Sequence, residues 1–154
     1  MSQFETMARD FLAQNRIAVA GVSRKSENAA NGIYRKLRDE GYMVFPLNPN
    51  AEVVEGDPCF PNVMAVPEPV DGVMIVTDPD HATQVARDCI EAGVPRVWMH
   101  NNTFAPSSVS EEGVEMLREA GVAVIPGGCP MMFLDFTHKC MKWVLGVAGR
   151  LPEP

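Results

Sequence analysis

"IAVAGVSRKSENAANGIYRKL", residues 17–37, runs from a short apolar stretch through a polar loop into helical spacing, and the reading of that loop decides the fold. An apolar run of strand length that ends at a glycine and gives way to a helix is the opening unit of a parallel α/β sheet. The loop itself has two readings: an ordinary turn closed by an N-cap asparagine, or a phosphate cradle. A cradle needs exposed backbone N–H groups, a helix N-terminus facing the anion and a nearby cation. Gly21, Ser23, Arg24 and the helix start near Asn28 to Asn31 supply all three, with Lys25 a second cation beside Arg24.

Outward from this unit, four more short apolar runs follow: Tyr42 to Phe45, Gly72 to Val76, Arg96 to Met99 and Val122 to Ile125. They lack clear alternation, as expected of strands covered by helices on both faces. Between them lie residues at helical spacing: Ile33, Tyr34 and Leu37; Ala82, Val85, Ala86, Cys89 and Ile90; and Val109, Gly113, Met116, Leu117 and Ala120. Ser108 and Glu111 form the pattern of a capping box ahead of the last of these. Gly41, Gly93 and Gly121 each stop a helix where a left-handed residue is needed. At the amino end, Ser2 and Glu5 repeat the capping pattern, and Phe4, Met7, Ala8, Phe11 and Leu12 predict a helix over about 2–14. Phe133, Phe136, Cys140, Trp143 and Val144 predict another over about 131–147. The stretch from Asn48 to Val70, with five prolines, predicts one short strand, around Glu52 to Val54 or Pro58 to Phe60. The whole reads as one domain, 1–154, with a Rossmann-like doubly wound α/β fold: five to six mostly parallel strands with helices on both faces.

A net charge of -7 leaves no basic face for a nucleic-acid backbone. The sequence shows no signal-like amino end and no apolar run of bilayer-spanning length, so a cytoplasmic chain with no membrane partner is expected. Its four cysteines are far apart with no CxxC, which predicts reduced thiols and no metal site.

In such a sheet, ligands lie beyond the carboxyl ends of the strands. The dinucleotide fingerprint G-x-G-x-x-G is absent, because Gly21 is followed by Ser23. The second strand ends in "VFPLNPN", with Asn48, Pro49 and Asn50 where an NAD site places an acid on the ribose. Both observations count against NAD. In "IVTDPDHA", Thr77 ends a strand and Asp78 or Asp80 caps the next helix; the segment is either a wall of the crevice or helix initiation alone. Cys129, just before Pro130, is either an activated thiol at a helix start or a small residue in a tight turn. Of the histidines, His81 at a helix start is expected to be exposed. His100, at a strand end on the crevice side, is the best placed to meet a polar ligand.

With these loops in hand, the sequence resembles the CoA-binding domain family, small stand-alone relatives of the amino-terminal domain of the succinyl-CoA synthetase alpha subunit. The matching features are "VAGVSR", "GYMVFPLNPN", "GDPCFPNVMAVPEPVDGVMIV", "GVPRVWMH" and "GVAVIPGGCP", together spanning roughly Arg16 to Pro130. The resemblance implies coenzyme A or an acyl-CoA as the small-molecule nucleotide ligand, with its diphosphate over the first loop. The contacts it implies are Gly21, Val22, Ser23 and Arg24, then Asn48 and Pro49, then Ile75, Val76 and Thr77. Arg24 and Lys25 are two cations available to the third phosphate of CoA. The chain departs from the family in having Ser23-Arg24 in place of a further glycine-rich turn, and Asn50-Ala51 in place of a lysine after the proline. "WMHNNTF" also departs from the glutamine-and-glycine pattern after this tryptophan. The synthetase's catalytic histidine belongs to a second domain, so the resemblance implies binding without ligase chemistry. The competing readings are an NAD(P)-binding oxidoreductase, a thiol-dependent enzyme using Cys129, and an interaction module whose apolar C-terminal helix packs on a partner or on a second copy to form a homo-oligomer.

Overall fold

A computed structural model of the chain describes residues 2–102 and 106–134. Its elements in chain order are α1 (Gln3–Leu12), β1 (Arg16–Ala20), α2 (Ala29–Asp39), β2 (Met43–Leu47), β3 (Val53–Val54), β4 (Asp57–Pro58), β5 (Gly72–Ile75), α3 (Pro79–Ala92), β6 (Arg96–Met99), α4 (Glu111–Glu119) and β7 (Ala123–Pro126). Two single-turn 3-10 helices occur at Val63–Ala65 and Pro130–Met132. Five strands form one parallel sheet in the order β2-β1-β5-β6-β7. The chain winds outward from β1 to β2, then returns to lay β5 on the other side of β1. The strand order therefore reverses between β1 and β5, the place where such sheets open a crevice.

Alternate side chains of the central strands go to opposite faces. Ala18, Ala20, Val73, Ile75, Val97 and Met99 pack with Ala82, Ala86 and Cys89 of α3 and Val114 and Leu117 of α4. Ile17, Val19, Met74 and Trp98 pack with Phe11 of α1 and Ile33, Tyr34 and Leu37 of α2. Both faces being covered explains why these strands read as continuous apolar runs. Trp98 centres the second layer: its ring meets Phe11 and Phe4 edge-on at 5.5 and 6.0 Å, and its Nε1 donates to the Gly127 carbonyl at 2.8 Å. The indole thus buries a large apolar surface without stranding its donor.

The five sheet strands fall within two residues of the apolar runs, and Gly41, Gly93 and Gly121 all take positive φ at the helix ends. Ser2 caps α1 by accepting from the Glu5 N–H at 3.2 Å. Three expectations need correction. The cap of α4 is Ser110, which accepts from the Gly113 N–H at 3.0 Å; Ser108 lies before the helix, its N–H held by the His100 carbonyl at 2.8 Å. The proline-rich segment makes both halves of an antiparallel hairpin, β3 against β4, outside the main sheet. Its two-residue turn, Glu55 and Gly56, has φ of 51° and 77°, as a tight hairpin with the sheet's twist requires. Third, Pro130–Met132 form a 3-10 turn where the last helix was expected to begin; the remainder of that expected helix, from 135 on, lies outside the described residues.

Gly21 sets the central crossing. Its φ is 104°, and a Cβ there would stand 2.1 Å from the Val76 carbonyl oxygen. Gly32, inside α2, has nothing within 4 Å of the corresponding position. Gly21→Ala is therefore expected to cost about 2–3 kcal/mol or more, and Gly32→Ala to add about 0.5–1 kcal/mol; urea denaturation of the two variants beside the parent checks the opposite signs.

Candidate functional site

Two cavities open at the carboxyl ends of β1 and β5, on either side of the Gly21 and Val76–Thr77 crossing. The larger, about 490 Å³, lies between the ends of β1 and β2, the segment 61–63 and one face of α3. The smaller, about 260 Å³, lies between the same crossing, the first turn of α2 and Pro106 and Ser108. Gly21, Val76, Thr77 and Asp78 line both. The larger is within the size range of small-molecule sites.

The first loop is held from within. Asn31 is fully buried in the first turn of α2. Its Oδ1 accepts from the Ser23 N–H at 2.9 Å, and its Nδ2 donates to the Ser23 carbonyl at 2.7 Å and to Glu55 Oε1 at 2.8 Å. Ser23 Oγ accepts from the Lys25 N–H at 3.1 Å and from Asn28 Nδ2 at 2.7 Å. Asn48 does the same work from the other side, its Nδ2 donating to the Val22 carbonyl at 3.0 Å and its Oδ1 accepting from the Asn50 N–H at 2.8 Å.

Because the Asn28 side chain is turned to Ser23, it makes no cap on α2. α2 is the one α-helix among the described residues without a side-chain cap, and it has no acid in its first turn. Ala29 and Ala30, the first two residues of that turn, line the smaller cavity. Unsatisfied N–H groups and the positive end of a helix thus face a crevice.

The hairpin braces this arrangement. Arg35 Nη1 donates to Glu55 Oε1 at 2.7 Å and to the Ser26 carbonyl at 2.9 Å. Arg38 Nη1 donates to Asp57 Oδ2 and to the Glu55 carbonyl, both at 2.8 Å. Tyr34 also donates to Asp57. The Asn31 amide, then Arg35, hold the Glu55 carboxyl below its ordinary range, and the Tyr34 hydroxyl, then Arg38, do the same for Asp57.

The sequence-expected residues divide. Gly21, Val76 and Thr77 line both cavities, and Asn48 and Pro49 line the larger. Ile75 is fully buried in the core and Val22 is fully buried; neither lines either of these two cavities. Ser23 lines neither, and Arg24 and Lys25 are exposed and line neither. His100 is fully buried rather than open to the crevice. Its backbone N–H goes to the Ile75 carbonyl at 2.9 Å, and burial pushes its imidazole pKa down. Cys129 is buried and lines neither cavity. His81 is exposed, its Nδ1 2.5 Å from Asp78 Oδ2. The helix start expected near Asn28 to Asn31 lines the smaller cavity through Asn28, Ala29 and Ala30, whereas sequence reasoning missed Asn62, Gln84, Val85 and Asp88 as lining residues. A signal existed for the α3 members: His81, Gln84 and Asp88 share one helix face beside the apolar stripe, with Val85 at the stripe's edge.

A doubly wound parallel sheet with its crevice at the β1/β5 reversal and a helix N-terminus opening on it defines a Rossmann-like α/β domain. Residues 15–135 match the CoA binding domain family, and the chain belongs to it. It is 27% identical over 114 residues to the uncharacterized protein YneT of Bacillus subtilis, covering 74% of this chain and 81% of that one. It is 28% identical over 112 residues to ADP-forming acetate–CoA ligase II of Archaeoglobus fulgidus; the match takes in 71% of this chain but 16% of the ligase. A solved structure of a hypothetical protein from Pyrococcus horikoshii OT3 aligns with a TM-score of 0.75 at 30% identity, over 85% of this chain and 89% of that chain.

The brace has a pH signature. A carboxyl held below its unfolded value contributes stability that is present above that value and is lost as pH falls through the folded one. Glu55→Gln is expected to lower the urea midpoint at pH 7. The gap to the parent should narrow as pH drops below the ordinary glutamate value of 4.5; midpoints of both proteins at pH 7 and pH 3 check it.

Proposed function

We propose that the chain binds coenzyme A or an acyl-CoA at the β1/β5 crevice as a binding module. The diphosphate lies against the first turn of α2 and the loop Gly21 to Lys25, with Val22, Ser23 and Arg24 shaping or flanking it. The adenosine occupies the larger cavity, beside Asn48 and Pro49, with Val76 and Thr77 as its inner wall and Ile75 beneath them. The observation that carries this reading is the uncapped first turn of α2 opening on the crevice, in a chain of the CoA binding domain family. A phosphate there accepts the N–H groups that no side chain takes and meets the positive end of the helix.

Isothermal titration of the purified chain with CoA tests the reading directly, and the absence of binding at millimolar CoA would sink it. A sharper test places a carboxylate where the phosphate would sit. Ala29→Asp, at an exposed position, is expected to leave the fold as stable or to stabilise it by about 0.3–1 kcal/mol. It should lower CoA affinity at least tenfold; unchanged affinity would move the phosphates away from α2.

A further inference from the structure

We infer that the larger cavity reads the hydroxyls of the adenosine ribose and makes no use of a 3′-phosphate on it. The site then takes an adenosine-diphosphate ligand with a free ribose diol, such as dephospho-CoA, at least as tightly as CoA itself. The inference rests on the proposed placement of the adenosine and goes beyond it to the chemistry of the ribose.

Its ground is the charge of the walls. The ionisable side chains lining the larger cavity are Asp78, His81 and Asp88. Among the described residues, neither cavity is lined by a lysine or arginine. Asp78 is held ionised, its carboxyl lowered by the His81 backbone N–H and then by the His81 ring. His81 is the one group there that can carry a positive charge, and its Nδ1 is already engaged by that carboxylate. Asp88 accepts from Gln84 Nε2 at 3.1 Å on one oxygen, leaving acceptor capacity on the other. Asp78, the N-cap of α3, and Asp88, ten residues on and about 15 Å away at helical rise, both line the cavity.

A phosphate dianion set among these groups meets two carboxylates and, among the described residues, no unpaired cation, whereas a ribose hydroxyl donates to a carboxylate. That is the role an acid at the end of the second strand plays in dinucleotide sites. Here the second strand ends in the neutral Asn48-Pro49-Asn50 and the acid arrives from α3 instead. The two basic clusters nearest in sequence are placed elsewhere: Arg35 and Arg38 are committed to Glu55 and Asp57, and Arg24 and Lys25 stand exposed outside both linings.

Titration calorimetry of the full chain with CoA, dephospho-CoA and ADP, at one ionic strength, separates the outcomes. The expected result is dephospho-CoA binding as tightly as CoA or tighter. CoA binding more than threefold tighter than dephospho-CoA overturns this inference while leaving the proposed function standing. If none of the three binds, the proposed function fails, and the inference with it. Asp88→Asn keeps the acceptor for Gln84 and removes the charge. It is expected to shift the CoA to dephospho-CoA affinity ratio at least threefold toward CoA, and an unmoved ratio counts against Asp88 as the group that reads the ribose. Replacing Arg24 and Lys25 with alanine together is expected to weaken both ligands equally; a loss confined to CoA would reinstate those side chains as readers of the third phosphate.

Discussion

Everything at the crevice depends on how closely two strand ends approach. β1 finishes at Ala20, and the next residue passes so near the Val76 carbonyl that no side chain fits between them. The contact is fixed on both sides: the Gly21 N–H goes to the Leu47 carbonyl at 3.2 Å, and the Val76 N–H goes to the Ala20 carbonyl at 3.0 Å. With that crossing closed, the chain past β1 must leave the sheet at once, and the chain past β5 must leave it the other way. The two cavities are what remains on either side.

Around this crossing the polar groups of the first loop are used to hold the loop itself. Asn31 spans both backbone groups of Ser23, Asn48 takes the Val22 carbonyl, and Asn28 takes the Ser23 hydroxyl. A residue type that reads as ligand-binding in sequence is here structural, because a buried amide is stable only when its donors and acceptors are matched. The diversion of Asn28 has an opposite effect one residue later, where the helix start is left uncapped. The side chains of the loop are thus taken up within it, while the first backbone groups of α2 are left without a side-chain cap.

This division explains what could be read from the sequence. Strands buried on both faces and helices with a single apolar stripe follow directly from periodicity, so Arg96–Met99 and the α3 stripe are legible to the residue. The crevice end is legible through topology and Gly21. The hairpin was visible only as two alternative strands, because its turn is Glu55-Gly56, and glutamate is not a residue that ordinarily marks left-handed backbone. Its conformation is held by long-range bonds to Asn31 and Arg35, and from Arg38 to its carbonyl. Ser108 matched the capping pattern but lies before the helix, its backbone N–H on the His100 carbonyl, and the helix starts two residues later at a serine whose N3 partner is a glycine. His100 sits at a crevice-side strand end in sequence, yet its exposure depends on the segment packed over it, which local spacing does not encode.

An uncapped helix is also an unfinished one. The first turn of α2 carries the stability deficit of a missing cap, a contribution of about 1 kcal/mol in ordinary helices, and the same turn anchors Asn31 and, through it, the first loop. An anion that completes the turn acts on the fold as a cap supplied from solution, and by linkage stabilises the native chain by about 2.7 kcal/mol at a hundredfold excess over its dissociation constant. For an anion bound as proposed, occupancy of the crevice and stability of the first turn of α2 are then one equilibrium.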